Sequence, residues 1–374
     1  MGCSPICEVP VKYSQYLYFI GFLLTTITSW LLRDYGDGAL DFSPLNACII
    51  DPNDTSCLGQ QAVRRICFGT FLFFCLHFVL LLGVTSTTNR RLAIHTGFWP
   101  IKFLLWGGLI GSTFAMSNTV LDGFAQAARV FSTFFIVLQL IILLEFFYWI
   151  NEWLLERESR ACAVVLAGGS FLMIAGSFVG IGFMYNYYAP SSSCSLNIWF
   201  ITSTILFFLL YAAISVSPIR NKSAGLFTSA AVFAYCSYYC WSALNSEPAG
   251  GSCTASSVGA NKVVQILGFV IAILALGIST MNSGVSSQAF DLDKGSGTDK
   301  DLQYRPDFFH AMYFLASCYM LLLLVGWDLS GSGGDFNIDQ GWGSTWVKMA
   351  ASWLCALLYC WSLIAHRVLR DREF

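Results

Sequence analysis

Few side chains in this sequence are of a type and spacing that could do chemistry, and the most conspicuous are charges set deep in apolar surroundings. Between residues 122 and 160 the chain stays apolar for nearly forty positions yet carries Arg129, Glu145, Glu152, Glu156 and Arg160. Arg129 and Glu145 are sixteen residues apart, about 24 Å along a helix, so neither neutralises the other within one helix. Charges in hydrocarbon are costly and are found facing a bundle interior, a watery cavity or a polar ligand. Two readings follow. In one, Arg129 snorkels to an interface and Glu145 joins an internal hydrogen-bond network. In the other, both border a hydrophilic track for lipid headgroups, with Gln139, Asn151 and Ser132 adding polarity to the same helix. Glu156 and Arg160, at i, i+4, read as a solvated pair at the helix end.

Other chemistries find no foothold. The four histidines, His77, His95, His310 and His366, form no H-E-x-x-H motif and no i, i+4 pair with another metal-type ligand, so no metal and no metal enzyme is expected. Walker A and dinucleotide fingerprints are absent, which argues against a nucleotide-driven pump and leaves no cofactor to expect. Asp122-Gly123 with Ala128-Arg129 begins like the D-G-x-x-A-R signature of membrane transferases, but the spacing is wrong by two and downstream aspartates are missing. The chain is not expected to be an enzyme. His77, inside the apolar run Phe73 to Phe78, suits an interhelical hydrogen bond better than a proton relay. Asp307 and His310 are one turn apart and could pair.

The elements that must hold these residues are set by composition. Of 374 residues, 56% are hydrophobic and 11% charged, with a mean hydropathy of +0.62, against roughly 25% charged in a soluble domain. At ~20 residues per span, that apolar content suffices for roughly ten crossings. Ten apolar runs are present, at 13–32, 64–84, 97–117, 124–153, 162–184, 196–216, 224–243, 262–281, 308–328 and 345–366. The expected fold is therefore all-α, a polytopic membrane protein of about ten transmembrane helices, since a helix satisfies its own backbone in lipid. Small-residue runs such as Ala167-Gly168-Gly169-Ser170 are read as sites of close helix approach. The long segment 122–160 exceeds a bilayer and must tilt or protrude, and 282–304, rich in Gly, Ser, Asp and Lys, is expected to be a flexible cytoplasmic loop. A net charge of −2 with scattered charges argues against nucleic acid as a partner.

Sidedness follows from basic residues. One alternate set of termini and loops carries thirteen Lys and Arg, from Lys12 to Arg372, and the other carries five, Arg33, Arg64, Arg65, Lys262 and Lys348. Both termini are expected to be cytoplasmic. Cys48, Cys57, Cys194 and Cys253 then fall on the outer, oxidising side. Four cysteines allow three pairings and the sequence does not choose; Cys48 with Cys57 and Cys194 with Cys253 is the expectation carried forward. Asn53-Asp54-Thr55 is a glycosylation sequon on that side, with Asn53 the acceptor. Together these signals fit an integral protein of the secretory pathway, at Golgi, endosome or plasma membrane.

The long segment also carries a pattern: Arg129-Val130-x-Ser132-x-x-Phe135-Ile136-x-x-Gln139-x-Ile141-x-Leu143-x-Glu145-Phe146, then Asn151-Glu152-x. It resembles the serinc (serine incorporator) family. Further likeness lies in Ile94-His95-x-Gly97-x-Trp99-x-x-Lys102, in Tyr304, Phe309-His310 and Tyr319, in Trp346-Val347-Lys348 with Ser352-Trp353-x-Cys355-x-x-Leu358-Tyr359-x-Trp361, and in the ending Arg370-Asp371-Arg372-Glu373-Phe374. Departures from the family pattern are Glu145 where Asp is frequent, Ile150 where Trp is common, His366 where Pro usually follows Ala, and a short 282–304 loop. The resemblance covers residues 1–374 as one membrane domain. It implies two helical subdomains joined by a long diagonal helix, and a link to phospholipids through phosphatidylserine and sphingolipid metabolism or scrambling between leaflets.

The function expected is ATP-independent scrambling or binding of membrane phospholipids, with Lys102 and Arg129 meeting phosphate and Glu145 and Asn151 meeting amines or ordering water. A carrier for serine or another small polar solute is the first alternative. A scaffold that recruits lipid-synthetic enzymes is the second, with such enzymes as partners. A homo-oligomer stays open.

Overall fold

The computed structural model describes residues 9–36, 40, 45, 56–157, 159–218, 224–248, 253, 302, 305–327 and 341–368, with Lys12, Ser56, His366 and Val368 described by backbone alone. The expectations for Cys48, Asn53, the 262–281 span, the C-terminal ending and all of the 282–304 loop but Leu302 lie outside these residues. Among the described residues there are ten helices and no strand. They are α1 (Val11–Tyr35), α2 (Ser56–Leu81), α3 (Leu92–Thr96), α4 (Trp99–Phe114), α5 (Asn118–Leu155), α6 (Arg160–Tyr188), α7 (Ser195–Val216), α8 (Leu226–Asn245), α9 (Pro306–Val325) and α10 (Trp342–Val368). Seven of them, α1, α2, α5, α6, α7, α9 and α10, are long and apolar enough to cross a membrane. The chain is an all-α polytopic membrane protein.

The helix α5 runs 38 residues, about 57 Å at 1.5 Å per residue. It stops at Leu155, and Ser159 opens α6 by accepting a hydrogen bond from the Ala161 amide at 3.3 Å. Glu156 and Arg160 therefore stand on opposite sides of a helix break, so the i, i+4 geometry expected of them does not exist. Arg157 instead lies 3.9 Å over the Trp153 ring.

The chain folds as two compact units, and the boundary falls inside α5 between Gln139 and Leu140. In the first unit α2 is the hub, with α1, α4 and α9 packed against it. Gly69 explains how closely α4 approaches: a Cβ there would lie 2.6 Å from the Ile110 Cα, so no larger residue fits that crossing. Beside it Trp106 stacks on Phe73 at 4.7 Å and donates to Thr70 Oγ1 at 3.2 Å. Arg65, fully buried, spends its guanidinium on Gln61 O, Gln61 Oε1, Met116 O and Asn118 Oδ1 at 2.7–3.2 Å, tying the α4–α5 turn to α2. A buried cation is tolerated only with such a set of acceptors.

In the second unit α8 is central, flanked by α6, α7 and α10. Phe208 and Phe233 stack at 3.9 Å between α7 and α8. At one end, Tyr359 shares its hydroxyl with Thr228 (2.9 Å) and Ser229 (2.8 Å), Ser229 meets Ser215 (2.7 Å), and Tyr148 meets Ser362 (2.8 Å). At the other end a disulfide joins Cys194 to Cys253. Cys57 is also disulfide-bonded.

Candidate functional site

The residues singled out from the sequence are distributed through both units. Lys102 is 5% exposed; its Nζ donates to the His95 carbonyl at 2.7 Å and sits 4.2 Å from the Trp99 ring and 5.0 Å from the Tyr18 ring. It is an interior residue of the first unit and not a surface contact for phosphate. Arg129 is half-buried, and its Nη1 donates to Gln126 Oε1 one turn earlier at 3.1 Å, with Nε lacking a partner among the described residues. Asp122 pairs with Arg64. Glu145 is half-buried, in the part of α5 that belongs to the second unit. Asn151 is buried, its Oδ1 only 2.7 Å from where a Gly225 Cβ would lie, so a larger residue at the start of α8 would have to displace the Asn151 amide.

Two expected hydrogen bonds, one for His77 from its apolar run and one between Asp307 and His310 from their spacing, are replaced by others. His77 Nδ1 contacts the Phe73 carbonyl of its own helix at 2.9 Å, not a neighbouring helix. Asp307 accepts from Arg305, from the Gly83 amide and from the Phe308 amide, while His310 Nε2 meets His95 Nδ1 at 3.1 Å. A one-turn spacing placed Asp307 and His310 on one helix face, but both found better-placed partners elsewhere.

The second unit carries a feature that sequence reasoning missed. Between α6 and α8 lies a groove of about 540 Å³, lined by Leu172, Met173, Gly176, Ser177, Gly180, Phe183, Met184, Ala234, Ser237, Tyr238 and Trp241. This falls within the roughly 300–1,000 Å³ of ligand sites. A Cβ at Gly168, Gly176, Gly180 or Gly182 would meet nothing within 4 Å. At Gly176 and Gly180 the small residues of α6 thus open space along the helix, whereas in the Ala167–Ser170 run, where close approach was expected, a Cβ at Gly169 would touch Phe227 at 3.8 Å and Ser170 is buried. The sequence signal was there: Gly176 and Gly180 are four residues apart, on one helical face.

The groove is apolar with isolated hydroxyls. Ser177 returns its hydrogen to Met173 O at 2.7 Å, whereas Ser237 Oγ, in a side chain 7% exposed, has no partner among the described residues. Around the groove α6 presents Val164, Phe171, Leu172, Val179 and Phe183 outward. A continuous apolar face of this kind suits hydrocarbon, not water. Among the described residues no cluster of His, Cys, Asp and Glu could hold a metal ion.

At the disulfide-bearing end the polar groups form a network. Asn197 Nδ2 donates to the Tyr188 carbonyl (2.8 Å) and Glu247 Oε2 (3.2 Å) and lies 3.4 Å from the Cys253 carbonyl. Lys348 Nζ donates to Ser246 Oγ at 2.6 Å and Ser242 O at 3.3 Å. Burial pushes the Glu247 carboxyl up to about 7, against the opposing effect of its Asn197 hydrogen bond.

Fold and spans define a polytopic helical membrane protein, and comparison with known proteins narrows the class. The serine incorporator (Serinc) family profile matches residues 2–301 and 293–372. A probable serine incorporator of Nematostella vectensis is 30% identical over 85% of this chain and 81% of its own length. Serine incorporator 3 of Bos taurus is 27% identical over 100% of this chain and 94% of its own, and a probable serine incorporator of Dictyostelium discoideum is 28% identical over 96% and 94%. The chain belongs to the serine incorporator family.

Proposed function

We propose that this protein handles membrane phospholipids without ATP, as a scramblase or lipid-binding protein, through the groove between α6 and α8. The observation that carries the reading is the groove's composition: an apolar wall open beside the exposed face of α6, with Ser177 and Ser237 placed about midway along their helices. An acyl chain is accommodated by the glycine-widened wall. A headgroup crossing the hydrocarbon needs polar atoms at mid-depth, where lipid offers none, and the unpartnered Ser237 hydroxyl supplies one. Arg129 and Glu145, both half-buried on α5, are further groups for headgroups or ordered water, and Lys102 and Asn151 drop out because both are enclosed. In this reading both termini face the cytoplasm and the Cys194–Cys253 end faces the lumen or exterior.

The test is leaflet exchange of fluorescent phosphatidylserine and phosphatidylcholine in liposomes holding the purified protein, read by dithionite quenching without nucleotide. Wild-type protein is expected to raise the quenchable fraction above that of protein-free vesicles. Gly176→Leu with Ser237→Leu should slow exchange about tenfold, equivalent to roughly 1.4 kcal/mol on the barrier, with helicity and elution unchanged. Wild-type rates in that variant would remove the groove from the reading and turn the test to Arg129→Leu with Glu145→Leu. Absence of exchange by folded wild-type protein would replace scrambling by a carrier or a scaffold.

A further inference from the structure

Three of the four histidines, from three different helices, meet in the interior of the first unit. His77 comes from α2, His95 from α3 and His310 from α9, and all three are at most 3% exposed. Tyr18 of α1 lies among them, stacked on His95 at 5.3 Å and edge-on to His310 at 4.8 Å. The His77 and His310 ring centroids are 5.1 Å apart.

The hydrogen bonds dictate the protonation state. His77 Nδ1 faces the Phe73 carbonyl, so it carries a hydrogen. His95 Nδ1 and His310 Nε2 face each other at 3.1 Å, so one of them carries a hydrogen and the other does not. His310 Nδ1 is buried without a partner among the described residues. Donation from His310 Nε2 to His95 Nδ1 leaves a lone pair at that position, whereas the reverse leaves an N–H with no acceptor. The cluster is therefore built for neutral imidazoles. A further proton on His95 would set two N–H groups head-on, beside the basic Lys102.

Among the described residues the charged and titratable groups around the cluster are Tyr18 on α1, His77 on α2, His95 on α3, Lys102 on α4, and Asp307 with His310 on α9, while the Val9–Pro10 segment, whose Val9 amide donates to the Thr96 carbonyl, brings none. Asp307, the sole carboxylate of this set, is already engaged by Arg305, the Gly83 amide and the Phe308 amide. Among the described residues no carboxylate is left over as a counter-charge for an imidazolium.

The same cluster holds down a weakly built segment. Besides its ring contacts, His95 offers its carbonyl to both Tyr18 OH (3.2 Å) and Lys102 Nζ (2.7 Å). The helix α3 has only five residues, and Phe98, between α3 and α4, has a φ of 60°, a left-handed conformation unfavourable for a bulky side chain. Tertiary contacts, not local preference, keep this segment in place.

We propose that the His95–His310 pair is a proton-sensitive latch, whose protonation releases α3 and the start of α4 from α1, α2 and α9. The His95 imidazole is held well below the usual histidine range by burial, then by Lys102 and His77. The closed form is thus fully favoured above the ordinary histidine pKa of about 6.5 and weakens as pH falls below it, by up to about tenfold in the open-to-closed ratio per pH unit for each histidine exposed.

The experiment is hydrogen–deuterium exchange of the full-length protein in liposomes between about pH 8 and pH 5, corrected for intrinsic rates, comparing residues 92–102 with α8. Protection of 92–102 is expected to fall steeply below about pH 6.5, with α8 unchanged. His310→Gln, whose amide can still donate to His95, should abolish most of that steepness, and Lys102→Met should move the transition to lower pH. A flat wild-type profile, or the same transition in His310→Gln, would overturn the latch. If His310→Gln fails to fold, the wild-type profile and the Lys102→Met midpoint decide the matter.

Discussion

The first unit places basic side chains in its interior, and the second fills the corresponding space with hydroxyls. In the first, Arg65 is buried among carbonyl and amide oxygens, and Lys102 and three imidazoles are buried among aromatic rings. In the second, Tyr359, Thr228, Ser229 and Ser215 satisfy one another at one end, and Asn197, Glu247 and a disulfide do so at the other. Both solve the same problem of keeping polar atoms in a helical membrane protein. They differ in how they respond to protons. Neutral imidazoles lose their fit as pH falls, while a carboxyl lifted toward neutrality loses its fit as pH rises.

Removing the bridge is the harshest way to break the comparison. Cys194→Ser with Cys253→Ser is expected to cost about 2–4 kcal/mol, seen as earlier thermal unfolding of the second unit, with exchange protection around His95 and Arg65 unaltered. Tyr359→Phe should cost about 1–2 kcal/mol, because two buried hydroxyls lose a shared partner; a denaturation midpoint equal to wild type would show that Thr228 and Ser229 repair the loss between themselves. Glu247→Gln is expected to have the smallest effect, confined to one side of the pH scale. The Glu247 carboxyl lies at about 7, raised from an ordinary 4.5. Its contribution is complete below about pH 4.5 and is lost as pH rises through about 7. The variant should hold its melting temperature across that interval where wild type declines, and parallel profiles would refute the assignment.

Much of the fold was legible in the sequence, because hydropathy and helix length are local properties. The over-long segment around Arg129 and Glu145 emerged as α5, although its end at Leu155 was not marked by any proline or glycine. The candidate site was less legible. Lys102 was expected to meet phosphate, and only the packing of Trp99 and Tyr18 around it encloses its amine. The α6 glycines were visible, but whether a glycine stripe admits a helix or opens a groove depends on the neighbour's path: Gly69 is pressed against Ile110, whereas Gly176 faces empty space.

By itself the sequence determined that this is an all-α membrane protein of the serine incorporator family, since apolar runs of spanning length and a pattern spread over the whole chain need no partner to be read. It also set aside ATP-driven and metal chemistry as expectations and left three disulfide pairings open. Tertiary structure decided which distant groups share a neighbourhood: Cys194 with Cys253, His95 with His310, Asp307 with Gly83 and Arg305, Ser237 with a groove. The physical reason is that a buried polar group takes whichever partner the rotation and crossing of helices bring within about 3 Å, and those are fixed by side-chain packing between segments far apart in the chain.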